Sequence, residues 1–342
     1  MRGTAYEGAG RLRTVPVDVE PPGPGELQIA VAYCGLCGTD LHIAHGDMDA
    51  RVSTPLIFGH EASGTVAAVG AGVTGWAVGD PLTVMPLIWD NSCAACLAGH
   101  QHICQNLTFV GIDAAGALQQ RWTVPASIAV PLPPGLDLRT AALVEPVAVA
   151  LHDVRRSGLQ PGDHAVVLGG GPIGVLIATV ARHAGARVLV GEIDPTRRAL
   201  IASLGLDVLD PENGLAAEVD RRTAGNGADV VFEVSGAAAA ARGATALARV
   251  RGTIVIVAIH AAAREIDLQR VFWRELRLLG ARVYQRSDFE RAITLLDEGV
   301  IPARQLISGV VALDDTAGAL ADLSAGRAMK ILVDVAGQEN HR

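Results

Sequence analysis

One segment constrains this chain more than any other: HAVVLGGGPIG at 164–174. An apolar run ends in three glycines, and an apolar stretch with helical spacing, PIGVLIATVARHAGA, follows at 172–186. A strand passing through glycine straight into a helix opens a parallel strand–helix–strand unit. G-x-G-x-x-G in that setting, here Gly169, Gly171 and Gly174, is the pattern of a phosphate cradle. Gly169 permits the tight turn, Gly171 lets backbone N–H groups approach a pyrophosphate, and Gly174 lets the helix pack close to its strand. Pro172 and Ile173 open that helix, whose N-terminus adds partial positive charge. The plain alternative, a tight turn without a ligand, explains the glycines but not the acid that follows. Glu192 ends the next apolar run (RVLVGEID, 187–194), where a carboxylate accepts hydrogen bonds from ribose hydroxyls and repels a 2′-phosphate. This favours NAD over NADP, while Arg197 and Arg198 argue mildly the other way.

Alternation continues beyond this point. RRALIASLG (197–205) reads as helix, DVLD (207–210) as extended, ADVVFEVSG (228–236) as strand, RGATALARV (242–250) as helix and GTIVIVAI (252–259) as strand. A last strand is expected near 278–283, and the tail from 288 reads as helix, loop, helix, strand. The pattern predicts a doubly wound parallel sheet. Residues 1 to about 150 differ: short strands such as LQIAVAYCG (27–35) and SGTVAAVG (63–70) alternate with Pro- and Gly-rich turns, as in an irregular β domain. A chain of 342 residues is long enough for two domains, and 50% hydrophobic content supplies both cores.

Charge narrows the function. The net charge is −8, and all but one of the 28 basic residues are Arg, scattered without a basic stripe, so nucleic acid is not expected as a partner. The exception, Lys330, reads as a product of composition. The N-terminal stretch has no apolar signal segment and no run of 18 apolar residues occurs, so neither export nor a membrane span is expected and a cytoplasmic location is. In that setting five cysteines at close spacing, Cys34, Cys37, Cys93, Cys96 and Cys104, read as metal binding before disulfides.

Two segments carry the metal chemistry: CGLCGTDLH at 34–42 and GHEASGTVAAVG at 59–70. Cys37 offers a thiolate and His60 an imidazole, both good zinc donors, with Asp40 and Glu61 beside them in sequence as orienting groups or ligands. Glu145 stands before a proline where the β domain ends. Cys34 reads as a small buried apolar residue. A lone His60 would more often be a satisfied core histidine; its place in GHE, with Cys37 upstream, argues otherwise.

These motifs resemble the zinc-containing medium-chain dehydrogenases, within the branch of sorbitol, butanediol and threonine dehydrogenases. GHE-x2-G-x5-G-x2-V is met by Gly59, His60, Glu61, Gly64, Gly70 and Val73. The resemblance implies an α/β protein with a GroES-like irregular β catalytic domain (1–147 and 285–342) and a Rossmann domain (148–284), with the active cleft between them. It implies Cys37, His60, Glu61 and Glu145 at catalytic zinc, Thr39 as the hydroxyl touching the substrate oxygen, and His42 as a proton relay. The family's structural zinc lobe uses C-x2-C-x2-C-x7-C. Here Cys93, Cys96 and Cys104 match and Asp90 falls on the first position, which predicts a zinc site of one aspartate and three cysteines, with His100 and His102 as fallback ligands. By the same layout Ile43, Trp89, Phe109 and Tyr284 border the substrate.

The expectation is therefore an enzyme that passes a hydride between a secondary alcohol (polyol, vicinal diol or hydroxyketone) and NAD, needing no nucleic acid or membrane, and forming a homodimer or homotetramer through the last Rossmann strands. Its rivals are an NADPH-dependent ketoreductase and a zinc-free quinone or enone reductase or non-catalytic relative. The last class lacks the equivalents of Cys37 and GHE.

Overall fold

The computed structural model describes residues 1–260 and 262–337. The chain divides into two compact units, Met1–Glu145 joined by the segment from Gln285 onward, and Pro146–Tyr284. The junction lies inside the helix Val144–Ser157.

The first unit is built on a seven-stranded sheet. Its order runs Ala129–Pro131, Pro81–Val84, Glu61–Val69, Glu26–Leu36, Lys330–Asp334, Ile307–Ala312, with Arg121–Pro125 also pairing to Glu26–Leu36. The long central strand, ELQIAVAYCGL, alternates little and is buried along most of its length, as a strand flanked on both edges must be. Close approach fixes two glycines: a Cβ on Gly35 would lie 2.1 Å from a Glu61 carboxylate oxygen, and one on Gly64 would lie 2.3 Å from the Ala30 carbonyl. Trp122, Tyr6 and Phe58 are the largest side chains sealed in the core.

The second unit is a six-stranded parallel sheet. Its order is Asp207–Leu209, Arg187–Gly191, His164–Leu168, Ala228–Glu233, Ala248–Ile256, Arg277–Gly280. Continuous apolar runs such as AVVL and RVLVG suit a parallel sheet because helices cover its faces. Val166, Leu168, Leu189, Val231 and Ile254 form its core with Leu215 and Leu247. The strand order reverses on either side of His164–Leu168, the arrangement that opens a ligand crevice at the carboxyl ends of the strands.

Three details differ from the sequence-based reading. The helix expected at 242–250 is Ala238–Leu247, because Ala248 already pairs with Ala228 and begins the next strand. The last Rossmann strand is Arg277–Gly280 rather than 278–283. A strand at Ile307–Ala312, read as part of a loop, pairs in parallel with Lys330–Asp334. No helix among the described residues is long and apolar enough to cross a membrane.

Candidate metal centre and dinucleotide cradle

The strand Glu26–Leu36 delivers Cys37 to the start of the helix Gly38–His45. The Asp40 carboxylate accepts the Cys37 N–H at 2.9 Å and so sets the turn that presents the thiol. Strand pairing brings His60 alongside: Cys37 Sγ lies 3.3 Å from His60 Nε2, and His60 Nδ1 lies 3.8 Å from Asp40 Oδ1. The His60 ring stands edge-on to Phe109, with centroids 5.1 Å apart. One ligand atom from each of Cys37, Asp40 and His60 falls within a 4.8 Å cluster.

The donor set fits zinc. His60 Nδ1 and Asp40 Oδ1 are buried without hydrogen-bond partners, a costly state for two polar atoms. A cation on His60 Nε2 would fix the Nδ1–H tautomer that faces Asp40. Burial, reinforced by the negative charges of Asp40 and Glu61, pushes the Cys37 thiol well above its ordinary value. A metal ion must therefore displace a tightly held proton, which makes loading pH-dependent.

Glu61 takes another partner. Its two carboxylate oxygens lie 2.8 and 2.6 Å from Lys330 Nζ, which also donates to the Leu36 carbonyl at 3.0 Å. Both side chains are sealed, at 3% and 1% exposure. Burial pulls the Lys330 ammonium down, but the negative charge of Glu61 and its hydrogen bond, with Glu145 nearby, outweigh it and leave its pKa raised. Lys330 is thus the counter-charge of the metal pocket. Lys330 is therefore not a mere product of composition but the buried partner of an acid 269 positions away in sequence, which no local pattern marks. Glu61 lies outside the Cys37–Asp40–His60 cluster, as does Glu145, buried in the first turn of Val144–Ser157.

Thr39 follows Cys37 in the same helix and is half-buried. His42 is at the surface, its Nδ1 3.0 Å from Asp47 Oδ2. Cys34 is fully buried, packed under Gly59, and joins no metal-ligating group among the described residues. Of the residues expected to border a substrate, Ile43 and Tyr284 have no exposed surface, Phe109 is buried against His60, and Trp89 is half-buried.

A second cluster brings Asp90, Cys93, Cys96 and Cys104 together, again with ligand atoms within 4.8 Å. The thiols are free, with the Cys93 and Cys104 sulfurs 3.8 Å apart. Backbone N–H groups point at the sulfurs: Gln105 N at 3.4 Å from Cys93, and Asn106 N at 3.3 Å from Cys104. Such donors stabilise thiolates. The Asp90 carboxylate accepts from Ser92 N, Cys93 N and Asn106 Nδ2, which hold it well below the usual carboxylate range. Burial pushes the Cys96 thiol up to about 12. His100 and His102 pack edge-on to each other outside this cluster.

In the other unit, the turn after His164–Leu168 has Gly169 at φ 109°, which only glycine adopts easily. A Cβ on Gly174 would come within 1.9 Å of the Gly169 carbonyl, whereas one on Gly171 would meet nothing within 4 Å. The Gly171 backbone is therefore open to a ligand, at the N-terminus of the helix Pro172–His183, which Pro172 and Ile173 begin. Glu192 reaches back: its Oε2 accepts Gly170 N–H at 2.7 Å and its Oε1 accepts Asp194 N–H at 2.8 Å. Arg198 is tied to the Glu192 and Ile193 carbonyls and pairs with Asp210. Arg197 Nε is buried without a hydrogen-bond partner.

Similarity to known proteins identifies the family. Residues 23–134 match the alcohol dehydrogenase GroES-like domain and residues 172–298 the zinc-binding dehydrogenase domain. The chain is 51% identical over 315 residues to the 2-dehydro-3-deoxy-L-galactonate 5-dehydrogenase of Pseudoalteromonas atlantica, covering 92% of each. It is 31% identical to the sorbitol dehydrogenase of Halalkalibacterium halodurans, over 91% of this chain and 92% of that one. Among solved structures, a zinc-binding dehydrogenase from Sinorhizobium meliloti bound to NADP superposes with a TM-score of 0.91 at 33% identity, covering 97% and 98% of the two chains. The 2R,3R-butanediol dehydrogenase of Bacillus subtilis superposes at 0.89 with 31% identity, covering 97% and 99%. The chain belongs to the zinc-containing medium-chain dehydrogenases, with a GroES-like and a Rossmann-type part, and is a zinc-dependent alcohol oxidoreductase.

Proposed function

We propose that this enzyme interconverts a secondary alcohol of a sugar acid, or of a related polyol, with its ketone, using NAD. The cluster of Cys37, Asp40 and His60 carries the reading. Zinc there supplies Lewis acidity that draws a hydroxyl toward its alkoxide. Cys37 and His60 anchor the ion, and Asp40 orients His60. Glu61 and Glu145 are the remaining carboxylate donors, with Lys330 restraining Glu61. Thr39 holds the substrate oxygen and passes its proton on, and His42, at the surface beside Asp47, hands it to water. NAD bound to the second unit would supply the hydride acceptor. Asp90, Cys93, Cys96 and Cys104 hold a structural zinc, since four protein donors leave no open position.

The first unit serves as catalytic domain and Pro146–Tyr284 as cofactor domain. Gly169, Gly171, Pro172, Ile173 and Gly174 take the pyrophosphate, and Glu192 takes the adenosine ribose, which favours NAD. A second reading, NADP, is supported by the partnerless Nε of Arg197 and by the NADP-bound neighbour. The relative at 51% identity, a 2-dehydro-3-deoxy-L-galactonate 5-dehydrogenase, supports sugar acids as the substrates to test first. Free thiols suit a reducing compartment such as the cytoplasm. A second copy of the chain covers the edge strand Arg277–Gly280. The test is turnover on sugar acids, polyols and vicinal diols with NAD and NADP, beside zinc analysis. The reading expects NAD-linked oxidation and about two zinc per chain; a chain purified without zinc that turns over enones would refute it.

A further inference from the structure

Strand His164–Leu168 has Arg187–Gly191 on one side and Ala228–Glu233 on the other, so it separates two halves of the sheet. Each half of a doubly wound sheet takes one mononucleotide. Glu192 closes the first half. The second nucleotide is left to the turns that follow Ala228–Glu233 and Ala248–Ile256, and these turns share a second buried acid.

Glu233 is the last residue of its strand and is 0% exposed. Its Oε1 accepts from Ser235 N at 3.1 Å, Ser235 Oγ at 2.7 Å and Gly236 N at 2.9 Å. Its Oε2, which accepts no hydrogen bond, lies 3.0 Å from His260 Nε2. One carboxylate thus ties together the two turns. The backbone strengthens the tie, since the Glu233 carbonyl accepts from Val257 N at 2.9 Å and Ala258 N at 3.1 Å. These turns abut the phosphate turn: a Cβ on Gly169 would lie 2.9 Å from Ser235 N. Beside His260 the chain leaves the apolar side chain of Ile259 75% exposed.

We propose that the Glu233–His260 pair is the positioning element for the nicotinamide riboside half of the cofactor, clamping the two turns so that Ile259 presents the apolar surface on which the nicotinamide ring packs. This rests on Pro146–Tyr284 being the dinucleotide-binding unit. The clamp holds because a buried carboxylate that loses its cationic or N–H partner is costly. Swinging the turn that carries Ile259 away would remove His260, the group that approaches Glu233 Oε2, from a buried oxygen that accepts no hydrogen bond. A surface held in place before the ligand arrives spares the ordering cost of binding. NAD and NADP share this half, so the pair serves either.

Titration calorimetry of the full chain with NADH and with ADP, which carries only the adenosine end, tests the proposal. His260→Ala is expected to weaken NADH at least tenfold and leave ADP within twofold of wild type. Ile259→Ser, which spares the Glu233–His260 contact, is expected to weaken NADH alone as well. The fluorescence of bound NADH, which reports on the nicotinamide environment, should move toward that of free NADH in both variants. NADH binding at wild-type strength in His260→Ala overturns the proposal. So does parallel loss of NADH and ADP, which would mark the pair as merely structural. A wild-type chain that binds neither ligand rejects the dinucleotide reading itself, and this inference with it.

Discussion

At the residue scale, the metal pocket is set by a charge no local pattern announces. Lys330 and Glu61 neutralise each other inside the unit, and removing one partner of a sealed pair strands the other. Lys330→Met should therefore destabilise the fold by about 3–5 kcal/mol, read from urea unfolding. The double variant with Glu61→Gln should lose less than the sum of the single losses, because the stranded carboxylate is gone. The pH dependence has a definite sign. The folded ammonium titrates above its ordinary 10.5, so the lysine's own contribution is complete below about pH 10.5 and fades as pH rises through the raised value. Unfolding curves of wild type and Lys330→Met should keep a constant separation between pH 7 and pH 9. Cys37→Ser should abolish alcohol oxidation while dinucleotide affinity stays within about twofold, since Cys37 and the glycine turn belong to different units; retained oxidation would remove Cys37 from its role. Cys37 and His60 could be picked out because thiol, imidazole and glycine recur at fixed spacing within short segments. Lys330 could not, because its partner lies 269 positions away and the contact exists only once two strands have found each other.

At the scale of elements, strong periodicity was readable and competition between elements was not. The glycine turn, its strand and its helix followed from apolar runs and glycine placement. The end of the helix Ala238–Leu247 did not, since its last residues are equally good helix formers and yield to strand pairing at Ala248. The strand Ile307–Ala312 was hidden for a related reason: ISGVVA is short and carries a glycine, and only its partner Lys330–Asp334 makes it a strand. The lobe around Asp90 is the opposite case, readable because cysteine spacing is itself the signal. There Asp90→Ala should lower bound zinc from about two to about one per chain. It should also lower the melting temperature, by roughly 2–4 °C for each kcal/mol lost, with little change in rate per folded molecule. Asp90→Cys should keep the zinc. Unchanged zinc in the alanine variant would show that Asp90 is no ligand.

At the scale of the whole molecule, the second unit ends on an open edge. Strand Arg277–Gly280 pairs on one side only and is largely exposed, and Leu268, Phe272 and Trp273 nearby are 69%, 72% and 73% exposed. An uncovered strand edge beside large apolar side chains calls for a partner. Light scattering should find at least a dimer, and Phe272→Asp with Trp273→Asp should yield monomers; a monomeric wild type would contradict this. The interleaved order of the first sheet has a different consequence, for synthesis on the ribosome. Strand Lys330–Asp334 lies inside that sheet, beside Glu26–Leu36, yet in chain order it comes after the whole Pro146–Tyr284 unit. The Pro146–Tyr284 unit has every strand it needs long before then. A nascent chain halted ahead of Lys330 would carry a protease-resistant 146–284 fragment attached to an unfinished partner, with Glu61 unneutralised. Copies terminated ahead of Lys330 would be left without a competent metal pocket.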